Sequence, residues 1–64
     1  MPSNEYLSLE FRFNKIQEVM VLTTYLMHDC DAESVMYDLL TKTMRLYATE
    51  SLELKKQMEI ERNK

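Results

Sequence analysis

Glycine is absent from the 64 residues, and the only proline is Pro2. Hairpin turns, dinucleotide-binding crossovers and phosphate-cradling loops need glycine where φ is positive, so β-rich and nucleotide-binding folds are nearly excluded. A single cysteine, Cys30, cannot form an intrachain disulfide, which argues against a disulfide-stapled secreted scaffold and favours a reducing, cytoplasmic setting. Excess positive charge is missing too. Eleven acids outnumber eight bases, for a net charge of -3, which is the wrong sign for a general nucleic-acid or anionic-membrane binder. No long hydrophobic run occurs. The uncharged stretch from Val19 to His28 is about half the ~20 residues a membrane-spanning helix needs, and the start MPSNEYLSLEFR lacks the basic and apolar segments of a signal peptide. The expectation is a soluble protein with no membrane contact.

What is present is helical. The chain is 45% hydrophobic and 30% charged, too apolar for a disordered tail. Its length allows one small domain, which buries only about 60% of the surface its unfolded chain exposes, so any core is thin. Ser3 or Asn4 suits a first N-cap, with Pro2 just outside and Glu5 in the first turn, where the helix dipole favours negative charge. The helical pattern runs over about 4–28. His28-Asp29-Cys30-Asp31 interrupts it, giving a loop over about 29–31 with Asp31 as N-cap of a second helix over about 32–60. The polar stretch Lys55–Lys64 is expected to fray.

Apolar spacing then defines the fold as all-α, an antiparallel two-helix hairpin in a single domain, 1–64. Tyr6, Leu9, Phe13, Ile16, Met20, Thr23 and Met27 step by threes and fours, and so do Tyr37, Leu40, Met44, Tyr47, Ser51, Leu54 and Met58. A tight loop centred on Cys30 would pair these heptad seams with Thr23 beside Tyr37, Met20 beside Leu40, Ile16 beside Met44, Phe13 beside Tyr47, Leu9 beside Ser51 and Tyr6 beside Leu54. Phe13, Ile16, Met20, Leu40, Met44 and Tyr47 are the predicted core.

Apolar residues remain after the seams are filled. Val19, Leu22 and Leu26 form a second stripe on the first helix, and Val35, Leu39 and Leu46 form one on the second, with Met36 bridging it to the seam. At 100° per residue both stripes lie on the same side of an antiparallel hairpin. That side turns charged toward the termini, at Arg12, Lys15, Glu50 and Glu53, while the opposite side (Glu10, Asn14, Gln17, Val21, Tyr25; Ser34, Asp38, Thr41, Arg45, Lys56) reads as mostly solvent-facing. Monomeric proteins rarely leave such an aliphatic patch exposed, so Val19, Leu22, Leu26, Val35, Met36, Leu39 and Leu46 are the candidate partner-binding residues, for a protein partner or for a second copy in a homodimer.

Chemistry has little support. His28, Asp29, Cys30 and Asp31 are contiguous, lack a second ligand pair, and fall where a helix–helix turn wants capping aspartates, so a loop is expected there with no metal, cofactor or catalytic residue. The bases are dispersed among acids, as on a solvated face. Four of the six methionines (Met20, Met27, Met44 and Met58) fall on the seams and read as core filling.

With Phe13, Asn14, Lys15 and Glu18 on its first helix, and in length and hairpin outline, the chain resembles the plasmid RNA-modulating Rop proteins, which implies a dimeric four-helix bundle that binds RNA. In size, acidity and hairpin shape it also resembles the small co-chaperones of type III secretion needle subunits, which implies docking on a helical-repeat protein. The expected function is therefore a non-enzymatic interaction module: a small cytoplasmic adaptor, co-chaperone or regulator that buries its apolar face on a helical partner or a second copy. A dimeric Rop-like RNA-binding regulator is the alternative.

Overall fold

A computed structural model describes residues 3–64 as two helices, α1 (Asn4–His28) and α2 (Val35–Arg62), packed as an antiparallel hairpin of 47 × 15 × 11 Å. The fold is the all-α hairpin that the periodicity implies. Pro2, expected just outside the first helix, lies outside the described residues. Ser3 is the N-cap of α1: its hydroxyl accepts the Tyr6 N–H at 3.0 Å, with Glu5 in the first turn. No described residue has positive φ. Without glycine, α1 closes through Asp29 in a right-handed conformation (φ -87°), whose N–H donates to Leu26 at 3.2 Å, rather than through a left-handed cap.

The loop departs from expectation. Asp31 does not cap α2; its carboxylate accepts the Glu33 N–H at 3.0 Å, closing a local turn. The Ser34 hydroxyl accepts the Tyr37 N–H at 3.0 Å and donates to the Asp31 carbonyl at 2.7 Å, so Ser34 is the cap and α2 starts at Val35 rather than near residue 32. Replacing Ser34 with Ala should cost about 0.5–2 kcal/mol by thermal melting, and Asp31→Ala should cost less, because only the first substitution removes a helix cap. At the other end α2 continues past the expected fraying point to Arg62. There the guanidinium donates to the Tyr6 hydroxyl at 3.1 Å and stands 5.8 Å from its ring, tying the last turn of α2 to the first of α1. That hydrogen bond raises the Arg62 pKa, and the Lys64 ammonium, 2.9 Å from Glu61, lowers that carboxyl's.

All fourteen seam positions are buried or half-buried, so the seams are the inner faces. Their register is not the one expected. Gln17 donates to the Ser51 hydroxyl at 2.6 Å, whereas the expected pairing put Leu9 beside Ser51; Arg62 reaches Tyr6, whereas Leu54 was expected there. Both contacts are displaced by about one heptad, roughly 10 Å of axial slide. The later start of α2 is the cause. Heptad seams interlock equally well one repeat apart, and the longer loop selects the other solution, with Ser51 near Ile16 and Leu54 near Phe13.

The core is thin. Among the described residues the buried hydrophobic side chains are Leu54, 2% exposed, and Ile16, 9% exposed; Phe13, Met20, Leu40, Met44 and Tyr47, expected to be buried with Ile16, are covered for the most part without being sealed from solvent. Each seam side chain meets only one facing helix, so most of them keep an edge open to solvent. The buried polar residues are satisfied: Ser51 by Gln17, and Thr23 by donating to the Val19 carbonyl at 2.8 Å. Thr24, Thr41, Thr43 and Thr49 likewise return their hydroxyls to the carbonyl one turn earlier.

Candidate interaction surface

The heptad positions beside the seam decide what each edge of the hairpin carries. Arg12, Val19 and Leu26 recur at intervals of seven on α1, as do Met36, Thr43 and Glu50 on α2. Arg12 pairs with Glu50 across the helices at 3.6 Å, which puts these two rows on one side of the hairpin. Leu22 stands on the neighbouring row of α1, and Leu39 and Leu46 on the neighbouring row of α2, further out on that same side. A slide of one heptad preserves this geometry, because every residue keeps its angular position. The corrected register brings Leu22 level with Leu46, and Leu26 nearly level with Leu39.

All seven candidate residues are exposed in the hairpin, from Val19 at 36% to Leu46 at 72% and Val35 at 77%. They form a strip of aliphatic surface over the loop-proximal half. Toward the termini the strip ends in Arg12 and Lys15 on α1 and Glu50 and Glu53 on α2. The opposite side is less polar than its sequence suggested. Val21, Tyr25, Leu7 and Leu52 are more than 45% exposed there or on the outer rows, as is Phe11, and Ile60 is exposed beyond Glu53 on the Leu39–Leu46 row. The reason is compositional: from Val19 to Met27, α1 is apolar around most of its circumference, a pattern ordinarily met in helices surrounded by protein.

His28 and Cys30 line an open cleft with Thr24, Met27, Tyr37 and Met44, while Asp29 and Asp31 stand exposed. Among the described residues no three His, Cys, Asp or Glu side chains converge as metal ligands would. Nor do the bases gather. Arg12 pairs with Glu50, Lys15 with Glu18 at 3.7 Å, Lys42 with Asp38 at 3.0 Å and Lys64 with Glu61 at 2.9 Å, and Phe13 is half-buried in the seam. Lys15 also lies 5.5 Å from the Phe11 ring. Exposed ion pairs of this kind are screened by solvent and order the surface only loosely.

Among the described residues no helix is long and apolar enough to cross a membrane. Comparison with protein-family models, curated proteins and solved structures finds no match for the chain, so its surface chemistry carries the functional argument.

Proposed function

We propose that the chain is a non-enzymatic protein-interaction module, a small cytoplasmic adaptor, co-chaperone or regulator that buries the Val19–Leu26 and Val35–Leu46 strip on helical protein surface. The supporting observation is surplus surface. The hairpin exposes 5241 Å². A compact monomer of its 7.7 kDa mass would expose about 4,300 Å². The excess of about 900 Å² matches the roughly 800 Å² that each partner contributes to a standard specific interface. Its radius of gyration, 14.7 Å, also exceeds the about 11 Å of a compact chain of this length. A rod that carries a continuous aliphatic strip along one edge has the shape of part of a bundle.

Burying a leucine stabilises by about 1.5–3 kcal/mol, so the strip offers a driving force that survives the cost of association. Leu22 and Leu39 are 57% and 53% exposed and lie off the seam. Replacing both with Glu should leave helical circular dichroism intact and abolish association with partner or second copy, read by light scattering and by pull-down. Unchanged association would move the interaction to the polar face bearing Asn14, Arg45 and Lys56.

A further inference from the structure

We propose that the occupant of the apolar strip is a second copy of the same chain, stacked face to face with its loop at the same end, so that α1 of each copy rests on α2 of the other. This rests on the interaction reading above and names its partner and orientation. The order of chemistry along the edge selects this partner and orientation. From Arg12 toward the loop, α1 carries Arg12 and Lys15, then Val19, Leu22 and Leu26. Over the same heights α2 carries Glu53 and Glu50, then Leu46 and Leu39. One helix is basic then aliphatic; its neighbour is acidic then aliphatic.

A twofold axis parallel to the helices exploits both halves. It lays Arg12 and Lys15 of one copy over Glu53 and Glu50 of the other, and aliphatic over aliphatic, and symmetry makes each match twice. The ion pair already formed within the chain, Arg12 to Glu50 at 3.6 Å with both side chains about half exposed, shows that these rows lie within reach across the edge. None of the described ion pairs uses Glu53. The other way of stacking, loops at opposite ends, puts α1 on α1 and α2 on α2. Overlapping the aliphatic halves then leaves the charged halves projecting beyond the partner's loop, with no opposite charge to meet. The surplus of about 900 Å² per hairpin is close to the roughly 800 Å² that each subunit of a standard interface covers, which is the area one second copy would bury.

The test uses the purified chain. Sedimentation equilibrium should give twice the chain mass of 7.7 kDa. A nitroxide on Asn63→Cys, in a Cys30→Ser background, should report a distance below about 30 Å between copies, because both C-termini sit at one end of a bundle with helices 8–10 Å apart. Loops at opposite ends would separate the same labels by more than about 50 Å at 1.5 Å per residue, and that result overturns the orientation. Charge exchange gives an independent reading. The pair R12E and K15E, and the pair E50K and E53K, should each weaken self-association at least about tenfold, while an equimolar mixture of the two variants should associate within a few-fold of wild type. Failure of the mixture to recover, with both variants helical, overturns the proposed facing of α1 on α2. A wild-type chain that stays monomeric up to about 100 µM overturns the second copy as occupant. That outcome is distinct from failure of the interaction surface itself, which the Leu22 and Leu39 substitutions test against any partner.

Discussion

Leu54→Ala should unfold most of the protein at room temperature. Leu54 is the most buried hydrophobic side chain among the described residues, at 2% exposure. Truncating a buried leucine costs about 2–5 kcal/mol. A core of this size rarely supplies more than about 3–5 kcal/mol in total. Ile16→Ala, one layer away on the facing helix, should cost a comparable amount, at the lower end because Ile16 is 9% exposed. Urea titration followed by circular dichroism measures both. A midpoint for either variant close to that of wild type would mean that the seam is not the core.

The second large effect concerns concentration. If the strip is covered by another chain, association adds to the stability of the folded hairpin, and each tenfold dilution removes up to about 1.4 kcal/mol of that added stability. Melting curves over a hundredfold range of chain concentration should therefore move to lower temperature on dilution. The Leu22→Glu, Leu39→Glu double variant should melt at a low temperature that does not depend on concentration. A wild-type melt independent of concentration would show that the hairpin folds alone.

The sequence displayed some levels of this structure and hid others, for physical reasons. The seams were legible because period is a property of each helix separately, and every position assigned to them is shielded. The strip was legible for the same reason: angle around a helix depends only on residue number. Register was not. It depends on the loop, and Asp31 and Ser34 are both good N-cap residues three positions apart. The choice between them turned on Asp31 engaging the Glu33 N–H, a local bond that no periodicity reports. The continuation of α2 to Arg62 was hidden because it draws on Tyr6, at the other end of the chain. The greasiness of the far side, at Val21 and Tyr25, was visible in the letters but obscured by the polar residues interleaved with them.

Thr43 sits in the middle of the aliphatic strip, in the row between Met36 and Glu50, and its hydroxyl donates to the Leu39 carbonyl at 2.8 Å. A threonine there would ordinarily demand a polar counterpart from whatever covers it, since an unmatched hydroxyl sealed from water costs about 1–3 kcal/mol. Here the demand is already met within α2. The covering surface can be wholly hydrocarbon at that point, and water need not be trapped in the joint. Thr43→Val should accordingly leave the proposed self-association unchanged in sedimentation equilibrium, since the face offers an unbroken oily surface although its sequence is interrupted.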